Sequence, residues 1–279
     1  MKKFILLTTL LLPLTMFSQT QLGSDINGEA SYDQSGVSVS INSDGTKVAI
    51  GATKNDGGGS DSGHVRVYQY SSSSWSQIGS DINGEATNDS SGQSVSLSSD
   101  GTVVAIGATK NDGGGDNSGH VRIYQYSGSS WVQLGDDIDG ESPYDYSGHS
   151  VSLSSDGMVV AIGAYGNNGG NFTGHVRVYS YYNNQWNQRG ADLDGEAAND
   201  QSGYSVSLSS DGTKVAIGAP FNDANGSSSG HVRVYRYDLG SWGQLGSDID
   251  GEAAGDRSGF SVSLSSDGTK VAIGAPFND

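Results

Sequence analysis

The chain has 279 residues, a formal net charge of −17 at pH 7 and no cysteine. The lack of cysteine excludes disulfides, thiolate metal sites, cysteine nucleophiles and lipid anchoring through an N-terminal cysteine. The acidity argues against nucleic acid as a partner, because phosphate binding needs clustered Lys and Arg. It also disfavours an anionic membrane surface. Cations, neutral glycans and basic protein patches remain compatible with this charge.

Residues 1–18 have the pattern of a secretory signal peptide. Lys2 and Lys3 precede an apolar run from Phe4 to Phe17, which is too short to cross a bilayer comfortably. We expect cleavage near Ser18 or Gln19, export from the cell, and no membrane insertion afterwards. An uncleaved anchor is the alternative.

The remainder of the chain, residues 19–279, repeats one unit of 55 or 56 residues. The units cover residues 36–91, 92–147, 148–202 and 203–258, followed by a partial unit, 259–279. Three positions mark the period: a glycine (Gly36, Gly92, Gly148, Gly203, Gly259), a histidine (His64, His120, His175, His231) and a tryptophan (Trp75, Trp131, Trp186, Trp242). A fixed period of this size is typical of solenoids, propellers and tandem arrays.

Each unit predicts four short strands, which we describe for the fourth copy. Residues 204–208 alternate apolar side chains with small serines, which suits an inner strand where neighbouring sheets approach closely. Asp211-Gly212 predicts a tight hairpin, because glycine adopts positive φ without steric cost. The next strands are predicted at Lys214–Ala219, at His231–Tyr237 and from about Trp242 to Ile249.

The pattern predicts an all-β fold, a β-propeller of four-stranded antiparallel blades with four complete blades and a partial fifth. A β-solenoid is the alternative, but solenoid coils are shorter and lack paired hairpin turns. Gln21 to Ile26 matches the fourth strand, so we expect the chain to start with an outer strand. The stop after the second strand of the fifth unit suggests a fragment of a larger propeller.

Two kinds of sequence motif resemble those of a known repeat family. They are the run Ile-Gly-Ala-Pro, at residues 217–220 and 273–276, and the run GHVRVY or GHVRIY, which occurs in four copies. The chain resembles the FG-GAP repeat family of integrin α-subunit propellers and secreted bacterial proteins, over about residues 21–279. The resemblance implies an extracellular or cell-surface propeller used for binding or adhesion. Thr53, Thr109 and Tyr165 stand where the family has proline.

The family's calcium loop, DxDxDG between the first two strands, is reduced here to one aspartate per hairpin, too few oxygens for calcium. Carboxylates of the segments that link the units have spacing closer to that of calcium ligands. The candidate ligands are Asp137, Asp139, Glu141, Asp192, Asp194, Glu196, Asp248, Asp250 and Glu252. The alternative is that these residues, with Asp89, Asp145, Asp200 and Asp256, cap turns. No other cofactor is predicted.

The repeated histidines are expected to be structural, bonding a neighbouring blade or loop, since a catalytic site is normally asymmetric. His149 alone lies outside the pattern, at the position of Gln93, Tyr204 and Phe260, and we interpret it as a tolerated substitution. The repeated tyrosines and tryptophans are expected to pack between sheets, with glycan stacking as the alternative.

The leading functional hypothesis is a non-enzymatic, secreted or cell-surface adhesion module, monomeric, that binds protein or glycan through its blade loops. The signal peptide, the strict repeat and the lack of a unique reactive cluster motivate it. One alternative is an extracellular carbohydrate-active enzyme that uses the propeller as a scaffold. Another is a matrix component without a specific ligand.

Overall fold

The computed structural model describes residues 20–167 and 171–278. The predicted signal peptide lies outside these residues. The described residues form twenty-two β-strands and no helix, so none of them forms a helix that could cross a membrane. The prediction of an all-β chain is confirmed.

The strands fall into four complete blades and a two-stranded fifth. Blade 1 contains β1 (Ser35–Ile41), β2 (Lys47–Ala52), β3 (His64–Ser71), β4 (Ser74–Gln77) and β5 (Ile82–Asn83). Blade 2 contains β6 (Ser91–Leu97), β7 (Val103–Ala108), β8 (His120–Tyr126), β9 (Trp131–Gln133) and β10 (Ile138–Asp139). Blade 3 contains β11 (Ser150–Leu153), β12 (Val159–Ala164), β13 (His175–Tyr182), β14 (Gln185–Gln188) and β15 (Leu193–Asp194). Blade 4 contains β16 (Ser205–Leu208), β17 (Lys214–Ala219), β18 (His231–Asp238), β19 (Ser241–Gln244) and β20 (Ile249–Asp250). Blade 5 contains β21 (Ser261–Leu264) and β22 (Val271–Gly274).

All pairing within a blade is antiparallel, in chain order from the inner strand outward. The outer strand differs from the single strand that the sequence predicts, since it is broken in two pieces that both pair with β18 in blade 4. Trp242 pairs with Tyr237 and Ile249 with Val232, so the outer segment carries two residues in excess of its partner. The excess bulges out of the ladder, where Gly246 has a φ of 76°.

The N-terminal segment forms no strand between residue 20 and residue 34, contrary to the prediction for Gln21–Ile26. An outer strand needs the third strand of its own unit as a partner, and the described residues before β1 contain none. The segment lies against blade 1 instead. The indole of Trp75 donates to the carbonyl oxygen of Leu22 at 2.9 Å, and Arg66 donates to that of Asn27 at 2.8 Å.

Serine hydroxyls join the inner strands of neighbouring blades. Ser94 donates to the carbonyl oxygen of Gly148 at 2.7 Å, and Ser96 accepts from the amide of Leu153 at 3.0 Å. The same pair of bonds recurs at the other interfaces between inner strands. A Cβ atom on Gly107 would overlap the carbonyl oxygen of Gly148, so the strands approach as closely as glycine allows. The expected close approach of the serine faces is confirmed.

The inner strands surround a common axis. At the ends that carry the Asp-Gly hairpins, four backbone bonds of 2.8–3.0 Å link consecutive units from Ser43 to Ser266. A cavity of about 200 Å³ lies inside this arc and is lined by residues of all five units. This radial arrangement confirms the propeller prediction.

The hydrophobic core lies between the blades. Val95 and Leu97 of blade 2 pack against Val65 and Val67 of blade 1, and equivalent clusters fill the next two interfaces. Among the described residues the corresponding side chains of β1 have no such neighbour: Val39 is 64% exposed, whereas Val95 is 9% exposed. The inner strands of blades 2, 3 and 4 are thus buried by the blade that precedes each of them.

Candidate functional site

The loop end of each blade, where β2 connects to β3 in blade 1, carries a repeated group of polar side chains. We call these groups interblade clusters. Each combines a histidine at the start of the third strand, an aspartate just before the last piece of the outer strand, and a glutamate from the preceding linking segment. The members are Glu29, His64 and Asp81; Glu85, His120 and Asp137; Glu141, His175 and Asp192; Glu196, His231 and Asp248.

In blade 2, Nδ1 of His120 lies 3.6 Å from a carboxylate oxygen of Asp137 and 3.9 Å from one of Glu85. Asp139 adds a third carboxylate oxygen at 3.9 Å. Blade 4 repeats this arrangement around His231, with Asp248 at 3.7 Å and Glu196 and Asp250 at 3.9 Å. One donor atom from each of the three members lies within 4.8 Å of the others in every cluster.

Neighbouring side chains hold the carboxylates in place. The amide of Gln133 donates to the second oxygen of Asp137 at 2.5 Å. Arg122 lies 3.3 Å from the other oxygen of Glu85, and its guanidinium also donates to the carbonyl oxygen of Asn83 at 2.7 Å. The same guanidinium stacks on Tyr124, 5.6 Å from the ring centroid. Each cluster is therefore fixed by residues of two successive units.

The histidines are deeply buried, with only 1% of His120 exposed. Burial and the Arg122 guanidinium lower the pKa of His120 to about 4, so its imidazole is neutral at pH 7. Burial raises the pKa of Glu85, and the nearby Asp137 carboxylate adds to this effect. Among the described residues, Nδ1 of His64, His120 and His231 has no hydrogen-bond partner. The expected bond from these histidines to a neighbouring blade is not made through Nδ1.

The structure divides the predicted calcium candidates between different clusters. Asp137 and Asp139 face His120, whereas Glu141 crosses to the next blade and faces His175 with Asp192. Likewise Glu196 joins Asp248 and Asp250 at His231. Asp194 and Glu252 are in none of the clusters; Glu252 lines a surface cavity of about 670 Å³ beside Arg257 and Phe277. The sequence does not reveal this grouping, because the periodicity of the histidines predicts a structural role for them.

The carboxylates of the other repeated aspartates accept hydrogen bonds within turns. Asp89 accepts from the amide of Ala86 at 3.0 Å and from the side chain of Asn111 at 3.1 Å, and its counterparts make similar caps. In the hairpins, Asp267 accepts from Ser265 and from Thr269. These bonds lower the pKa of Asp267 to about 2. The hairpin carboxylates therefore act as turn caps.

A second group on the loop end is not repeated. We call it the aromatic cluster; it contains Tyr144, Tyr146, His149, Tyr165, Phe172, Tyr204 and Phe260. Tyr146 and Tyr165 stack with ring centroids 5.1 Å apart, and His149 lies between Tyr165 and Tyr204 at 4.6 and 4.7 Å. Tyr144 is 43% exposed and Phe260 37%, so the cluster has a solvent-facing edge.

The loop ends of blades 1 and 2 lack this cluster. The equivalents of Tyr165 there are Thr53 and Thr109, and those of Tyr146, in the segments before these blades, are Gln34 and Ser90. Tyr32, the counterpart of Tyr144 beside blade 1, is aromatic. In the sequence, Tyr165 departs from the family motif and His149 departs from the repeat. Because these positions are far apart in the sequence, only the fold shows that they meet.

Comparison with known proteins identifies the repeat and the fold. A family model of the FG-GAP repeat matches residues 83–124 and 193–235. No curated protein sequence matches the chain. Among solved structures, the periplasmic gluconolactonase of Pseudomonas aeruginosa is similar, with a TM-score of 0.57, 18% identity, and coverage of 85% of this chain and 64% of that one. Hydrazine synthase of Kuenenia stuttgartiensis is similar too, with a TM-score of 0.53, 13% identity, and coverage of 85% and 61%. The chain thus spans less than two thirds of either protein, and at these identities the likeness concerns the fold alone.

Proposed function

Because two segments of the chain match the FG-GAP repeat, we propose that it is a secreted or cell-surface interaction module without enzymatic activity. In this proposal it binds a protein or a glycan through the loop end of the propeller. Propeller loops can vary while the strands maintain the fold, so a binding surface is expected where the units differ from one another.

The aromatic cluster is the observation that carries the proposal. It is a partly exposed group of rings on the loop end, assembled from units 2 to 5. Among the residues at blades 1 and 2 that correspond to Tyr144, Tyr146 and Tyr165, only Tyr32 is aromatic. Rigid aromatic side chains supply contact area at low entropic cost and are enriched at binding hot spots. Repetition cannot account for the cluster, because the repeat places small or polar side chains at most of these positions.

The backbone conformation of the cluster's tyrosines belongs to the repeat. Tyr144 and Tyr146 have φ values of 66° and 53°, in the left-handed region that bulky residues disfavour. At the position of Tyr144 two other copies carry Asn88 and Asn199, with φ values of 70° and 71°, and the first copy carries Tyr32 at 74°. Asparagine adopts this conformation more readily than tyrosine, so Tyr144 is held there at a cost in stability.

The remaining features of the proposal come from the sequence. The signal-peptide pattern of residues 1–18 supports export, and the net charge of −17 disfavours nucleic acid and anionic membranes as partners. We infer a monomer that contacts a neutral glycan or a protein with a basic or neutral patch. The environment of His149, between two aromatic rings, suits packing rather than proton transfer.

The proposal is tested with glycan and cell-surface protein arrays probed with the folded chain. Binding should be lost in Tyr165→Thr and Tyr146→Ser, which introduce the residues found at the equivalent positions of blade 2, Thr109 and Ser90. Tyr182→Ala is the matched control, because Tyr182 is a 56% exposed tyrosine at the opposite end of blade 3 and should not affect binding. Equal binding by Tyr165→Thr would contradict the proposed surface. Turnover of sugar lactones or polysaccharides by the chain would contradict the proposal and would indicate that the chain is an enzyme.

A further inference from the structure

We propose that the interblade clusters of blades 1, 2 and 4 are binding sites for a divalent transition-metal ion with the ligand preferences of Zn²⁺. Each site takes the imidazole Nδ1 of one histidine and carboxylate oxygens from two successive units. This inference is independent of the proposed binding surface, which lies on different residues.

The geometry suits a metal ion. In blade 2 the carboxylate oxygens of Asp137, Glu85 and Asp139 lie 3.6–3.9 Å from Nδ1 of His120. Those spacings are too long for hydrogen bonds. Three donors no more than 4.8 Å apart have a central point at most about 2.8 Å from each, compared with zinc–oxygen and zinc–nitrogen distances of about 2.0–2.2 Å. A small inward movement of the 45% exposed Glu85 would complete the fit.

The buried imidazole is the observation that points to a ligand. The side chains of His64, His120 and His231 are each 1% exposed. Their Nδ1 atoms have no hydrogen-bond partner among the described residues. Leaving a buried polar atom unpaired costs stability, and here the atom faces two or three carboxylates. A cation at the centre would satisfy the nitrogen and offset the repulsion between the acidic groups.

The donor set selects the class of ion. Calcium and magnesium prefer sites built from oxygen alone, whereas imidazole nitrogen with carboxylate oxygen suits zinc and similar first-row ions. The site therefore differs from a hairpin calcium loop, whose single carboxylate is used here as a turn cap. It also differs from a site formed within one linking segment, since the glutamate and the histidine belong to different units.

Hydrogen bonds from neighbouring side chains orient the proposed ligands, as they do in metal sites generally. Gln133 holds one oxygen of Asp137, and the other oxygen faces His120; the same pairing joins Gln77 to Asp81 and Gln244 to Asp248. Blade 3 departs from this plan, because the side-chain amide of Asn167 contacts Nδ1 of His175. The proposal accordingly covers three clusters. Since each ion would join residues of neighbouring units, binding should stabilise the stack of blades.

The test begins with the whole secreted chain, stripped with EDTA and dialysed against Zn²⁺. Bound zinc measured by elemental analysis should approach three equivalents, and the melting temperature should rise. His120→Ala should remove one equivalent, whereas His149→Gln, the histidine outside the clusters, should remove none. Gln133→Ala should weaken the blade 2 site by about 10–100-fold in calorimetric titration. Calcium at the same concentration should not displace the zinc.

Two results would overturn the proposal. One is a folded wild-type chain that retains less than one equivalent of zinc. The other is an unchanged stoichiometry in His120→Ala; if that variant does not fold, unchanged stoichiometry in Glu85→Gln has the same meaning. X-ray absorption of the zinc-loaded chain should show nitrogen and oxygen ligands, and an all-oxygen shell would also contradict the assignment.

Discussion

Single residues of this chain are informative where they depart from the repeat. His149 takes a position that other units fill with Gln93, Tyr204 or Phe260, and it is packed between Tyr165 and Tyr204. Burial lowers the pKa of His149 to about 4 from an ordinary value of 6.5. Its imidazole is therefore neutral in the folded chain at pH 7.

This shift predicts a pH-dependent stability. Between about pH 6.5 and pH 4 the unfolded chain binds a proton at His149 and the folded chain does not, so stability falls as the pH is lowered. His149→Gln should reduce the loss over this window by about 2 kcal/mol. Urea unfolding of both proteins at pH 7.5 and pH 4.5 measures the difference. Parallel pH profiles would show that His149 does not contribute.

Tyr144 gives a second prediction at this scale. Tyr144→Asn introduces the residue that units 1 and 3 have at this position, Asn88 and Asn199, at a φ of 66° that asparagine tolerates better than tyrosine. We expect the free energy of unfolding to rise by about 0.5–1 kcal/mol while binding through the aromatic cluster weakens. Chemical unfolding and the array assay, run on the same preparation, measure the two effects. A decrease in stability would show that the Tyr144 ring contributes more by packing than its backbone costs.

Among the elements, the inner strands show how one sequence pattern has different consequences at different positions. β1 and β6 have the same alternation of serine and apolar residues. Val95 of β6 is buried by blade 1, whereas Val39 of β1 is 64% exposed. Burial of an inner strand is thus a property of the interface and not of the strand.

A matched pair of substitutions tests this difference. Val95→Ala should lower the free energy of unfolding by about 1.5–3 kcal/mol, because it removes buried methyl groups and leaves a cavity. Val39→Ala should change it by less than about 0.5 kcal/mol, since the side chain faces solvent. Equal effects in equilibrium denaturation would mean that the face of β1 is covered in solution.

At the scale of the whole molecule, the charge is the dominant electrostatic property. The chain has 31 acidic and 14 basic residues, and four of the arginines are used between blades, where each faces a glutamate. The excess of carboxylates on the surface therefore repels itself in the folded state.

Salt should therefore stabilise the propeller. Raising NaCl from 10 to about 200 mM shortens the screening length to below 10 Å, so the melting temperature should rise by a few degrees. EDTA must be present to separate this effect from metal binding. A melting temperature that falls with salt would indicate that the arginine–glutamate contacts outweigh the general repulsion.

The sequence alone determined the strands, the hairpins and the tandem units, because these depend on local alternation and on Asp-Gly turns such as Asp211-Gly212. It also indicated the FG-GAP repeats and the radial stacking of four blades. Only the tertiary structure decided which side chains meet. Glu85 and His120 are 35 positions apart in the chain, and Tyr146 and Tyr204 belong to different units, yet each pair lies in one site. Contacts between blades depend on the packing angle and register of whole sheets, and a pattern read within one unit does not contain that information.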